Sequence, residues 1–167
     1  RPISPDRMTM GDETPQTEQN TTPLMASLMG LGGLIPLFLC AGAAHSGVTP
    51  WAGLALVIIG VYGAVILSFV GAVHWGLAMA GGRRPIWVAW PVMPALYAWP
   101  PIVFLDTRTA LLALVPGFLI CWSVDRRATA AGLLPGWYMR LRHLLTLGAC
   151  MALAAASLAP PPAYFHG

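Results

Sequence analysis

Between Trp51 and Ala80 the chain passes thirty residues without a charged side chain. The segment reads WAGLALVIIGVYGAVILSFVGAVHWGLAMA. About twenty apolar residues already cross the hydrocarbon core of a bilayer. A run of this length demands a membrane span, and the bilayer becomes the solvent in which the rest of the chain must fold.

Composition agrees. Of the 167 residues, 57% are hydrophobic and only 9% charged, against roughly 25% charged in soluble domains. Such a chain cannot solvate its own surface in water. All nine basic residues are Arg, and they are scattered among short loops. The net charge of +3 therefore speaks to threading and excludes a nucleic-acid-binding face. The lack of Lys, with heavy use of Ala, Gly, Pro and Trp, fits a GC-rich bacterial genome. Cys40, Cys121 and Cys150 lie inside apolar runs with no Cys-x-x-Cys, and read as buried thiols. Leu39 before Cys40 is not the small residue of a lipoprotein signal, and the acidic tail is the wrong flank for a cleaved leader.

Residues 1–22 form a polar tail expected to be disordered; Met8 or Met10 is a candidate start. Residues 23–159 form one membrane domain, and 160–167 a short tail after Pro160-Pro161-Pro162. Within the domain the hydropathy predicts five spans: about Leu24–Ala44, Trp51–Ala80, Ile86–Leu105, Thr109–Val124, and one from near Arg140 to Ala159. Gly81-Gly82 ends the second. The third is crowded with Pro91, Pro94, Pro100 and Pro101, so a straight helix is not expected. Asp106 or Thr107 can cap the fourth, with a loop from Asp125 to Met139 after it. The fold expected is an all-α polytopic bundle of five transmembrane helices.

The arginines orient it. With five crossings Arg83, Arg84, Arg126, Arg127, Arg140 and Arg142 share the side of the N-terminus, and Arg108 lies alone opposite. The positive-inside rule then places the N-terminus in the cytoplasm and the C-terminus outside, in a bacterial inner (cytoplasmic) membrane.

Several positions carry chemistry or packing. Gly60, Ala64, Ser68, Ala72 and Gly76 recur at four-residue steps, a ladder of small side chains suited to close helix approach, within the monomer or in an oligomer. His74 is the ionisable residue set deep in a span, a functional candidate by default. Its place near the end of an overlong helix suggests an interfacial cation beside Trp75. His143, on a neighbouring helix, makes a haem or metal pair conceivable, although the two lack a diagnostic spacing. Asp125 has Arg126, Arg127, Arg140 and Arg142 within reach, which reads as an interfacial ion-pair cluster, with an anionic-lipid site as the sharper alternative. Tyr62 is a further polar position within a span.

The segments LGGLIP (31–36), YGAVILSFVGAVHWG (62–76) and PGWYMRLR (135–142) resemble the transmembrane-protein-69-like family, a domain of unknown function in bacteria and mitochondria. The resemblance runs from about residue 22 to 159. It implies a five-span inner-membrane protein with no established activity. In the family pattern the position of His74 can hold Arg, which favours a cation over a metal ligand there.

No Ser-His-Asp set, metal-ligand spacing or glycine-rich phosphate loop is present, so neither an enzyme nor a resident cofactor is expected. The expected role is a structural or assembly partner of a larger membrane complex, surrounded by lipid, or a homo-oligomer. A small-solute or proton transporter using His74, Tyr62 and the Pro-broken third span is the rival. A haem- or quinone-binding redox protein is the third reading.

Overall fold

A computed structural model of the chain describes residues 24–48, 50–81 and 89–161. The polar tail, the Arg83-Arg84 turn, the first residues of the third span and most of the C-terminal tail lie outside that range. Five α-helices are described: α1 Leu24–Ala44, α2 Trp51–Gly81, α3 Met93–Phe104, α4 Thr107–Ala130 and α5 Gly136–Ser157, with a 3-10 turn Trp90–Val92 leading into α3.

α2 is the axis of the bundle. It contacts each of the other four helices, which follow one another around it in the order α1, α5, α4, α3. The arc is incomplete. Leu54, Val57, Ile58, Val61, Val65 and Phe69 of α2 remain exposed, a helical stripe that no described element covers.

The interior and the outer surface are both largely apolar. Large apolar side chains such as Leu24, Met29, Phe69, Met79, Phe104 and Leu158 are outside. The interior is rich in Ala41, Ala44, Ala52, Ala98, Ala110, Ala149, Ala152 and Ala156, and it also holds His74, Asp125 and Arg142. Lipid gives no drive to bury Leu against Leu, so small residues set the helix contacts and polar groups turn inward. Among the described residues three helices, Leu24–Ala44, Trp51–Met79 and Thr107–Ala130, are long and apolar enough to cross a membrane. α5 has the length, at 22 residues, but Arg140, Arg142 and His143 in its first turns lower its hydropathy. α3 as described covers only about 18 Å at helical rise.

Both ends of α4 differ from expectation, and α5 starts at Gly136, before Arg140. α4 starts at Thr107, with Asp106 as its cap: the Asp106 carboxylate accepts from the Thr109 N–H at 3.2 Å. It then runs six residues past Val124, because helix-forming residues continue to Ala130 and Gly132 supplies the stop. Gly132 has φ +71°. Its N–H bonds to the Thr129 carbonyl, and the Leu133 N–H to the Ala128 carbonyl, which is the left-handed glycine termination of a helix. The expected 125–139 loop shrinks to residues 131–135, and Asp125 lies inside α4.

Helix ends also tie the bundle. Arg108, at the start of α4, donates to the Ala159 carbonyl just beyond α5. The Tyr62 hydroxyl of α2 donates to the Gly33 carbonyl of α1 at 3.1 Å.

Candidate functional site

Three helices converge on one carboxylate. Asp125 of α4 is fully buried, and on its two sides stand Arg142 of α5, 3% exposed, and His74 of α2, 1% exposed. Arg142 Nε–H donates to Asp125 Oδ2 at 2.6 Å, and the Tyr138 hydroxyl donates to the same oxygen at 3.3 Å. His74 Nε2 lies 3.4 Å from Oδ1. The Trp90 ring meets the His74 imidazole edge-on, centroids 6.5 Å apart.

Local structure explains the convergence. Tyr138, Arg142 and Thr146 are spaced by four along α5 and so share one helix face. On α4, Thr129 turns its hydroxyl to the Asp125 backbone carbonyl at 2.9 Å. On α2 the buried positions Ala52, Ala55, Ile59, Gly63, Leu67, Gly71, His74 and Ala78 follow the 3.6-residue period. That row carries His74 inward.

A carboxylate and a guanidinium cancel in charge and attract strongly where water is excluded. Removing either partner strands the other, at a cost of ~3–5 kcal/mol for buried pairs. The arrangement therefore locks α4 to α5 and, through His74, both to α2. Arg142 Nη2, Trp90 Nε1 and Thr146 Oγ1 are buried without a hydrogen-bond partner among the described residues, so the cluster keeps unused donor capacity.

The other sequence candidates fall elsewhere. Asp125 is buried inside the bundle, and of the four nearby arginines only Arg142 meets its carboxylate. Arg126 lies over the Trp122 ring at 5.7 Å, and Arg126, Arg127 and Arg140 are exposed. His74 sits in the protein interior, where burial and not headgroups surrounds it. His143 is not its companion: it is exposed and accepts from Trp122 Nε1 at 2.6 Å. Trp75 faces outward. Ser68 turns its hydroxyl back to the Ala64 carbonyl at 2.8 Å.

The small-residue ladder divides. Gly60 is buried against Leu111 and Ile102, whereas a Cβ at Gly76 would meet nothing within 4 Å, and Ala72 is exposed. A four-residue step advances the helix by about 40° beyond a full turn, so the ladder walks off the contact face. The close approaches belong to other glycines, Gly71, Gly117 and Gly148. A Cβ on Gly71 would lie 2.8 Å from the Pro91 carbonyl oxygen, and one on Gly117 2.6 Å from the Leu67 side chain. Tracing the 3.6-residue row from Gly60 reaches Gly71.

A model of a family described as "Protein of unknown function (DUF3429)" matches residues 22–158. The chain belongs to this family. It is also 32% identical over 144 residues to Transmembrane protein 69 of Xenopus tropicalis, an alignment covering 80% of this chain and 54% of that protein. The chain thus spans about half the length of that curated relative. No solved structure matches. His74, Asp125, Tyr138 and Arg142 all lie within the family's matched range, so the buried cluster belongs to the family domain. Together with the apolar helices, the relationship makes this a helical membrane protein of the transmembrane-protein-69-like family.

Proposed function

We propose that this protein is a five-span component of the bacterial cytoplasmic membrane, N-terminus inside and C-terminus outside, that serves as a non-catalytic structural or assembly partner of a larger membrane complex. The observation that carries this reading is the buried His74–Asp125–Arg142 cluster. Its charges compensate one another, and its members join three helices, as a lock requires. The incomplete arc around α2 supports the second half of the reading, because it leaves an apolar helix face for lipid or a partner helix. The arginine distribution supports the orientation.

A transport path would need Tyr62, Ser68 and His74 on a hydrated route. Tyr62 is bonded to α1, Ser68 to its own helix, and His74 packs between Asp125 and Trp90. These contacts favour the structural reading.

The test is extraction from native membranes in a mild detergent followed by native-gel sizing. Migration in an assembly well above the 17.7 kDa of the chain is expected. Migration as a bare monomer in intact, folded form would contradict it.

A further inference from the structure

The outward face of the α4–α5 seam carries a basic cluster separate from the buried pair. Trp122 of α4 donates its indole Nε1–H to His143 Nδ1 of α5 at 2.6 Å, with ring centroids 5.6 Å apart. The Arg126 guanidinium lies over the same indole, 5.7 Å from its centroid. Trp122 is partly buried, whereas Arg126 and His143 are exposed. Helix spacing brings in Arg140. Arg126 follows Trp122 by one turn on α4, and Arg140 precedes His143 by one turn on α5. Both therefore stand on this face, one step nearer the 131–135 turn.

Charge, donor geometry and depth each restrict what such a face can hold. Among the described residues the carboxylates are Asp106, at the opposite end of α4, and Asp125, buried against Arg142. Neither pairs with Arg126, so the face is positive and suits an anion. An indole nitrogen only donates, so His143 Nδ1 is the acceptor and the neutral ring carries its proton on Nε2 as a donor. Stacking on the indole orients the Arg126 guanidinium, whose planar fork of N–H groups matches two oxygens of a phosphate. α4 is uncharged from Thr109 to Val124, and Arg126 lies just past that run, at the level where Trp and Arg meet headgroups. On the bilayer side of the cluster the same two helix faces expose Leu119 and Leu147, an apolar strip along which acyl chains can lie.

We propose that this face binds an anionic phospholipid. Arg126 donates to its phosphate oxygens, the His143 Nε2–H stands beside them with Arg140, and the acyl chains run over Leu119 and Leu147. The site goes beyond the structural role and needs no partner protein.

The experiment titrates the full chain in mild detergent with dioleoylphosphatidylglycerol and, separately, with dioleoylphosphatidylcholine, and counts retained lipid by native mass spectrometry. Saturable retention of the anionic lipid is expected, with little of the choline lipid. Arg126→Gln is expected to weaken retention about tenfold at unchanged thermal stability. His143→Phe keeps a ring against Trp122 without the Nε2 donor and is expected to weaken it as well. Arg127→Gln removes the same charge from a position about 100° round the helix, and is expected to retain the lipid as the parent does. Excess inorganic phosphate is expected not to displace the lipid, since it has no chains for the leucine strip. Equal retention of the two lipids, an equal loss in Arg127→Gln, undiminished retention by Arg126→Gln or His143→Phe, or displacement by inorganic phosphate would overturn the proposal.

Discussion

Arg142 and Asp125 face each other across 2.6 Å from α5 to α4, both buried, and Tyr138 one turn earlier on α5 donates to the same carboxylate oxygen. The chain has few charges, and it places a neutralised pair of them in its interior. Everything else about the bundle can be read around that pair.

The contact between α2 and the turn before α3 depends on a missing side chain. Gly71→Ala would place a Cβ 2.7 Å from Pro94 Cγ and 2.8 Å from the Pro91 carbonyl, and backbone cannot yield cheaply. A loss of ~1–3 kcal/mol is expected from such overpacking. Gly76→Ala, in open space, is expected to leave stability unchanged or slightly raised. Thermal unfolding of the two purified variants in one detergent separates them; equal stability would mean that α2 packs through another face.

That contrast also marks how far the sequence could be read. The long apolar run of α2 and the cap at Asp106 follow from local chemistry and were legible. Asp125 was recognised as an ion-pair centre with Arg142 among its partners. Its depth was not, because the stop at Gly132 was overlooked and the helix was ended at Val124. The approach of His74 from α2 depends on three helices meeting, which hydropathy does not encode. The ladder misled because a four-residue repeat looks periodic while turning away from the neighbours.

His74 reaches only one oxygen of Asp125, Oδ1, at 3.4 Å. His74→Arg would bury a second guanidinium beside a carboxylate that Arg142 already neutralises, and is expected to lower stability. His74→Leu removes the contact and is expected to cost ~1–3 kcal/mol, the usual penalty for a stranded buried acceptor. Yield and unfolding temperature of the two variants check both; either variant as stable as the parent would contradict a role for His74 in the cluster.

Acid should loosen the α4 cap. Hydrogen bonds from the Thr109 side chain and then its backbone N–H hold the Asp106 carboxyl below its ordinary value of 3.8. The folded form therefore binds the proton less readily than the unfolded form. The cap's contribution is complete above that ordinary value and is lost as pH falls through the lower folded one. Asp106→Asn, which can still cap, is expected to remove this part of the acid dependence while keeping stability near neutral pH. Unfolding temperature followed from about pH 6 to about pH 3, across the usual carboxylate range, would detect the difference; identical profiles would exclude a role for this carboxyl.

Threading is testable without any partner. A reporter active only outside the cytoplasm, fused after Gly167, is expected to be active. The same reporter inserted in the 131–135 turn between α4 and α5 is expected to be silent. The reverse pattern would mean that the orientation is inverted, and equal activity at both points that α5 does not cross.

The central claim is that the buried cluster is an energetic lock between helices, and a double-mutant cycle on its strongest pair tests it most directly. Asp125→Asn, Arg142→Gln and the double variant would be compared with the parent by reversible unfolding in mixed micelles. Each single change is expected to cost ~3–5 kcal/mol, because it strands a buried charge. The double change is expected to cost clearly less than their sum, giving a coupling of at least about 1 kcal/mol. Additive losses, or single variants as stable as the parent, would contradict the account.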